Sequence, residues 1–119
     1  MGLTYKKILV KATRKSRKQK EIEFLIDSGA VYSLVPSAIL KTLGITAHRE
    51  MNFILADGTK IKRGIGDAYF ETDGVGGVAP VIFGIEGDKP LLGITTLESL
   101  GLVLNPFNRE VSPMRQLRM

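Results

Sequence analysis

The chain has 119 residues, 44% of them hydrophobic and 24% charged, and a formal net charge of +5 at pH 7; this length suits one domain that buries about two thirds of the surface its unfolded form exposes. It contains no cysteine, which excludes disulfides, thiolate nucleophiles and cysteine-ligated zinc, and its single histidine, His48, excludes histidine-rich metal clusters. No apolar run approaches the length that spans a bilayer, so we expect a soluble cytoplasmic protein without cofactor or metal.

Two strands and a basic loop open the chain. Tyr5–Ala12 contains three consecutive aliphatic residues and is predicted to be the first strand, and Glu21–Ile26 is predicted to be the second. Much of the net positive charge lies between their apolar parts, in Lys11, Arg14, Lys15, Arg17, Lys18 and Lys20. Such a cluster could bind nucleic acid. It has no interleaved aromatic residue on which bases would stack, and its place between two strands favours a solvated hairpin loop.

The second strand ends at a carboxylate. Its last three residues, Phe24-Leu25-Ile26, are apolar and indicate burial, whereas the residues of Asp27-Ser28-Gly29-Ala30 are small or polar. Gly29 permits backbone angles that other residues avoid and lets other groups approach the main chain closely. We therefore expect Asp27 at the rim of the core. Asp-Ser-Gly by itself also occurs in plain turns.

A short helix and a hairpin are predicted next. Pro36 opens a helical pattern with one apolar face, and Gly44 is a suitable C-terminal cap. Met51–Ala56 and Thr59–Ile65 then flank Asp57-Gly58, a dipeptide typical of tight turns between strands. The sequence thus predicts a β-hairpin with its tip around this pair.

Two further strands are predicted in the second half of the chain. Asp67–Thr72 is the first, and residues 74–77, which include three glycines, are predicted to form a flexible turn. This turn is no phosphate loop, because neither a Lys-Ser/Thr ending nor an adjoining helix follows it. Val78–Ile85 is the second strand, in which Pro80 suits an edge position or a strand start.

The last informative segment begins with Leu91-Leu92-Gly93, an apolar strand end that meets a glycine. A second short helix follows at once. Thr95 is expected to cap it, with Glu98 in the position of a capping box, and Gly101 is expected to end it. The chain closes with a short strand near Val111 and a basic tail.

The two halves of the chain match each other. An apolar strand end, a glycine turn, a short helix and a Leu-Gly pair occur once around Asp27 and again around Gly93, but only the first copy carries an aspartate. The first copy resembles the active-site motif of the retropepsin-like aspartic proteases, which is two apolar residues followed by Asp-Ser/Thr-Gly-Ala. Leu91-Leu92-Gly93 resembles the second motif of that family, two apolar residues followed by glycine. The resemblance spans about residues 21–111, and the Asp57-Gly58 hairpin falls where the family carries its flap.

This resemblance implies an all-β fold: a retropepsin-like closed β-barrel with a flap hairpin and one or two short helices, forming half of an acid-protease dimer. It implies a single domain over residues 1–119, with a core of about 5–112 and a tail of 113–119. The activity implied is that of an aspartic endopeptidase on extended polypeptide segments. Because this reaction uses two carboxylates around one water and the chain supplies one matching aspartate, the active form would be a homodimer.

The resemblance also implies roles for individual residues. Asp27 is the catalytic carboxylate, Ser28 donates its hydroxyl to the backbone of the facing chain, and the amide of Gly29 helps to keep the two carboxylates coplanar. Ala30 is small enough to leave room for substrate. The residues implied in substrate binding are Ala30, Ala56, Asp57, Gly58, Thr59 and Ile94.

The mode of dimerisation stays open at this point. In viral members of the family the chain ends interleave, and Met1–Tyr5 with Val111–Leu117 could do so here, whereas a free tail is the other interpretation. Two other functions also remain. One is a noncatalytic dimer of the same fold that binds peptides, and the other is a basic β-barrel that binds nucleic acid through the Lys11–Lys20 cluster. No membrane partner is expected.

Overall fold

The computed structural model describes residues 3–114, which form nine strands and two short helices. These elements are β1 (Tyr5–Lys11), β2 (Gln19–Ile26), β3 (Ser33–Pro36), α1 (Ser37–Thr42), β4 (Arg49–Ile54), β5 (Lys60–Thr72), β6 (Val75–Gly84), β7 (Leu91–Leu92), α2 (Ile94–Ser99), β8 (Leu102–Leu104) and β9 (Val111–Pro113). The predicted all-β class with short helices is confirmed. None of the helices in this part of the chain is long and apolar enough to cross a membrane.

Six strands close into a ring in the order β1-β2-β7-β3-β6-β5, and β1 pairs with β5 to complete it. Closure is possible because β5 is 13 residues long. Its first half pairs with β4, which lies outside the ring, and its last residues pair with β1, as in Val10 opposite Phe70. The predicted closed barrel is therefore confirmed, with the β4–β5 hairpin projecting from it.

The barrel interior is filled by the alternating apolar residues of its strands. Ile22, Phe24 and Ile26 of β2 are buried, while the residues between them are exposed or half-buried. The rings of Phe24 and Phe70 pack with their centroids 6.1 Å apart. Burial of an apolar side chain of this size stabilises a fold by about 1.5–3 kcal/mol. Leu40 of α1 and Leu97 of α2 join the same core, which explains the apolar face predicted for the first helix.

Both predicted glycine helix ends are confirmed. Gly44 has a φ of +82°, its N–H donates to Lys41, and the next N–H donates to Leu40, so the last carbonyls of α1 are satisfied. Gly101 has a φ of +65° and its N–H donates to Glu98. The predicted capping box at the start of α2 is wrong.

The start of α2 is set by tertiary contacts instead. The helix begins at Ile94 with Gly93 at the N-cap, and no side-chain hydrogen bond caps it. Thr95 lies in the first turn, and its N–H donates to the carbonyl of Val31 at 3.1 Å. The orphan amide is thus satisfied by a neighbouring loop rather than by a capping side chain.

The strands of the second half of the chain also differ from the prediction. β5 runs without a break from Lys60 to Thr72, although two separate strands were predicted there. The turn predicted over residues 74–77 is limited to Asp73-Gly74, where both φ angles are positive, as a two-residue hairpin turn requires. Pro80 lies within β6, one residue before the segment that pairs with β3, so it has a strand neighbour on one side only.

The predicted strand near Val111 is confirmed as β9, which pairs with β8 in the same chain. The hydrogen bond from Met114 N to the carbonyl of Gly101 extends this pairing. Interleaved ends, one of the two modes of dimerisation left open by the sequence, would use Met1–Tyr5 and Val111–Leu117. Of these segments, residues 1–2 and 115–117 lie outside the described residues, and the strand part of the second one is already paired within its own chain.

Candidate active site

The two motifs that match in sequence lie side by side in the structure. β2 and β7 are parallel neighbours, with Leu25 opposite Leu91 and Ile26 opposite Leu92. The N–H of Asp27 continues this pairing and donates to the carbonyl of Leu92 at 3.0 Å. Because parallel strands place their carboxyl ends at one edge of a sheet, the Asp27 loop and the Gly93 loop emerge together.

These two loops are joined by their backbones. The carbonyl of Ala30 accepts from the N–H of Ile94 at 2.8 Å. A Cβ atom at Gly93 would lie 2.6 Å from both the carbonyl carbon and the oxygen of Tyr32, a separation that real Cβ atoms do not show. Glycine is therefore required in the second motif by close approach of another backbone, since its φ of −91° is open to other residues.

A buried polar pair fastens the same two loops, and sequence reasoning did not find it. Ser33 and Thr96 are fully buried, and their hydroxyl groups are hydrogen-bonded to each other. The hydroxyl oxygen of Ser33 also accepts from the N–H of Gly93 at 3.0 Å. The sequence features that could have indicated this pair are a serine inside an apolar strand and a threonine on the inward face of a helix. Each polar residue is satisfied by the other, as buried polar groups must be.

The carboxylate of Asp27 lies at the half-exposed end of β2. Its Oδ1 atom accepts from the N–H of Gly29 at 2.9 Å, and its own carbonyl accepts from the N–H of Ala30 at 3.1 Å. Ser28 and Gly29 are exposed, and Ala30 is half-buried. The four predicted residues thus form one tight turn that holds the carboxylate at the surface of the barrel.

A cleft of about 570 Å³ lies between this turn and β4. Its lining includes Gly29, Ala30, Tyr32, Met51, Phe53 and Ile54. The contribution of Met51 and Phe53 was not predicted, although these two residues alternate as residues on one face of a strand do. The surface of the cleft is mainly aliphatic and aromatic, with backbone groups exposed along the Asp27 turn.

The predicted hairpin is present, and its tip lies beyond the cleft. Ala56, Asp57, Gly58 and Thr59 are all exposed, and none of them lines the cleft of the single chain. The loop spans five residues between Ile54 and Lys60, with Gly58 at a φ of +88° and its N–H bonded to the carbonyl of Leu55. This is a type I turn followed by a glycine bulge, a longer connection than the two-residue turn typical of Asp-Gly.

Asp57 stabilises the hairpin turn rather than facing the cleft. Hydrogen bonds from the hydroxyl and then the backbone amide of Thr59 lower the pKa of Asp57 below its ordinary value of 3.8. The distance from this amide nitrogen to Oδ1 of Asp57 is 2.9 Å. The ionised carboxylate therefore favours the observed turn.

Ile94, the last predicted substrate residue, is half-buried and packs against the core beside the Asp27 turn. It does not line the cleft, but the hydrogen bond from its N–H to the carbonyl of Ala30 holds the Asp27 turn against the start of α2. Within residues 3–114, no group of three or more His, Cys, Asp or Glu side chains is placed to hold a metal ion.

Comparison with solved structures identifies the architecture. The chain is similar to the protease of simian foamy virus (mac), with 18% identity and a TM-score of 0.53 over 78% of this chain and 92% of that one. It is also similar to a retropepsin-like aspartic protease from Rickettsia conorii, with 21% identity and a TM-score of 0.51 over 87% and 85% of the two chains. The chain has a retropepsin-like fold. Protein-family models and curated proteins gave no match.

The retropepsin-like fold explains the internal symmetry seen in the sequence. Each half supplies a strand that ends in a glycine turn and leads to a short helix, and the barrel brings the two turns into contact. The resemblance read from the motifs at Asp27 and Gly93 is confirmed at the level of the fold.

Proposed function

We propose that this protein is an aspartic endopeptidase that acts as a homodimer on extended polypeptide segments. The observation that carries the proposal is the position of Asp27. Its carboxylate lies half-exposed at the end of a barrel strand, bonded to the amide of Gly29 and next to a substrate-sized cleft. An aspartate with only a structural role in a turn would not require a second loop held against it by hydrogen bonds, as the Gly93 loop is held against the Asp27 loop.

The proposed reaction uses two Asp27 carboxylates that share one proton and hold one water between them. The ionised carboxylate takes a proton from the water, whose oxygen attacks the carbonyl carbon of the peptide, while the protonated one donates to the carbonyl oxygen. The carboxyl group that took the proton of the water then donates it to the amide nitrogen, and the C–N bond breaks. The other carboxylate takes a proton from a hydroxyl of the intermediate, which restores the shared proton. Cleavage should be favoured on the acid side of neutral, because it stops when the shared proton is lost.

A second copy of the chain is needed because one chain supplies one such carboxylate. A twofold axis beside the exposed Ser28 would bring the two turns together and create a self-complementary interface. In that arrangement the hydroxyl of Ser28 would donate to the backbone of the facing chain. The amide of Gly29 already meets the carboxylate within the single chain.

The small sheet of β8 and β9 is the surface that we propose to form the dimer. Thr4 connects it to the active site, because its carbonyl accepts from the N–H of Ile26 at 2.8 Å and its hydroxyl donates to the carbonyl of Arg109 at 2.7 Å. Thr4 thus links the β8–β9 sheet to Ile26, the residue that precedes Asp27. A two-stranded sheet is marginal alone, and both outer edges of this one are open within the described residues. Pairing with a second copy would satisfy these edges and cover the exposed ring of Phe107.

The cleft and the β4–β5 hairpin would bind the substrate. An extended peptide would add main-chain hydrogen bonds along the Asp27 turn, and its side chains would pack on Met51 and Phe53. The hairpin would act as a flap that closes from above and excludes water. The substrate-binding residues proposed at its tip and at the barrel wall are Ala56, Asp57, Gly58, Thr59, Ala30 and Ile94.

The test compares the wild-type protein with Asp27→Asn, which keeps the size of the side chain and removes its charge. Each protein is incubated with an unfolded polypeptide from acid to mildly alkaline pH, and its oligomeric state is measured by sedimentation. We expect cleavage by the wild type at acid pH, none by the variant, and the same dimer for both. Equal cleavage by the variant would contradict the proposal. Dimers without cleavage in both cases would instead support a peptide-binding module.

A further inference from the structure

A second groove lies at the end of β2 that is remote from Asp27. It has a volume of about 460 Å³ and is bounded by the β1–β2 loop on one side and α1 on the other, with a lining of Lys18, Gln19, Lys20, Ala38, Ile39, Thr42 and Leu43. Lys20 and Asp27 are seven residues apart along one strand, which corresponds to about 23 Å. The groove is therefore separate from the cleft beside the Asp27 turn.

The charged side chains that line this groove are both lysines. Side chains alternate along a strand, so Lys20 shares the face of the buried Ile22, whereas Glu21 and Glu23 lie on the opposite face. The ion pairs among residues 3–114 involve Lys6, Lys11 and His48, so Lys18 and Lys20 have no carboxylate partner there. Both lysines are exposed.

The floor of the groove is apolar. Ile39 is half-buried against the core, Leu43 is buried, and Ala38 is exposed on the first turn of α1. The hydroxyl of Thr42 donates to the carbonyl of Ala38 at 2.9 Å and so belongs to the helix itself. The groove therefore combines an aliphatic floor with two cationic side chains at its rim.

We propose that this groove binds an acidic polypeptide segment in which an apolar side chain lies between carboxylates. The apolar side chain packs on Ile39, and the carboxylates pair with Lys18 and Lys20. The neighbouring Arg14, Lys15 and Arg17 of the loop raise the local positive potential that attracts such a segment. No aromatic residue lines the groove, so it offers no stacking platform for nucleic acid bases.

Binding is measured by fluorescence anisotropy with a labelled peptide in which a leucine is flanked by glutamates. The double variant Lys18→Gln/Lys20→Gln should bind it about tenfold more weakly, because two exposed ion pairs are lost. The matched control is Lys7→Gln/Lys89→Gln, which removes the same charge from two exposed lysines outside the groove. This control should bind as the wild type does.

Ala38 provides a second test that does not depend on removing lysines. Ala38→Asp places a negative charge in the groove on the first turn of α1, where the helix tolerates acidic residues. It should abolish peptide binding, whereas Ala38→Lys should preserve it. These measurements require no cleavage, so they succeed or fail independently of the function proposed for Asp27.

Several results would overturn this inference. One is equal binding by the Lys18/Lys20 variant and the control variant. Others are equal binding of a peptide with glutamines in place of the glutamates, or no binding of the acidic peptide by the wild type. Tighter binding of single-stranded RNA than of the peptide, with no effect of Ala38→Asp, would assign the loop to nucleic acid instead.

Discussion

The hydroxyl pair of Ser33 and Thr96 should contribute more to stability than any exposed hydroxyl, because it fastens the two loops of the candidate active site. Ser33→Ala removes the group to which the N–H of Gly93 and the hydroxyl of Thr96 are bonded. Each buried group left without a partner costs about 1–3 kcal/mol, so the substitution should lower the free energy of unfolding by about 2–4 kcal/mol. Thr96→Val keeps the shape and leaves the bond to Gly93 intact, so it should cost about 1–2 kcal/mol.

A double-mutant cycle separates this pair from general packing effects. In Ser33→Ala/Thr96→Val no hydroxyl is left without a partner. The free energy of unfolding of the double variant should therefore fall by about 1–2 kcal/mol less than the sum of the two single losses. Unfolding in urea at one fixed protein concentration gives the free energies. Ser99→Ala is the control, because Ser99 is exposed at the end of α2. Additive losses, or a cost for Ser33→Ala no larger than that of the control, would show that the hydroxyl pair does not stabilise the two loops.

Three further outcomes are expected. Gly93→Ala should destabilise the protein by about 1–3 kcal/mol in urea unfolding, because the new Cβ would lie 2.6 Å from the backbone of the neighbouring loop; a neutral effect would contradict that contact. NMR titration should place the pKa of Asp57 below 3.8, and Thr59→Ala should raise this pKa. The turn should therefore be fully ordered at pH values above the ordinary pKa of Asp57, and it should lose order as the pH falls through the lowered pKa. Phe107→Asp should weaken dimerisation about tenfold or more in sedimentation, whereas Val78→Asp, which is also exposed, should not; equal effects would argue against the β8–β9 surface.

The fold and the Asp27 turn could be predicted because their signals are local. Three apolar residues before Asp27 dictate a buried strand, and the matching pattern before Gly93 gives its neighbour in the barrel. The glycine ends of both helices were equally readable, since Gly44 and Gly101 adopt positive φ angles that other residues avoid.

The glycines inside strands were assigned wrongly because tertiary contacts, and not local turns, require glycine at these positions. The predicted strands Thr59–Ile65 and Asp67–Thr72 exclude Gly66, but it lies within β5, where a Cβ atom would meet the carbonyl oxygen of Thr46 at 2.6 Å. Gly77 was assigned to a flexible turn, but in β6 its Cβ would lie 2.7 Å from the carbonyl oxygen of Ser99. At both positions another segment of the backbone approaches closely. The sequence alone does not distinguish this requirement for glycine from a glycine in a turn.

The polar pair in the site could not be predicted for the same reason. Ser33 and Thr96 are 63 residues apart, and neither has a partner within its own element. Their pairing depends on the barrel that brings the two halves together. The β4 wall of the cleft is likewise a consequence of the long strand β5, which carries β4 outside the ring.

In the proposed dimer two chains each supply one Asp27 to a single active site, and a subunit-mixing experiment tests this sharing. Wild-type protein at a fixed concentration is equilibrated with increasing amounts of Asp27→Asn, and cleavage of an unfolded substrate is measured at acid pH. Mixed dimers contain one aspartate, so the activity of each wild-type chain should fall in proportion to the wild-type fraction. Activity that stays constant as the variant is added would show that each chain works alone and would contradict a shared active site.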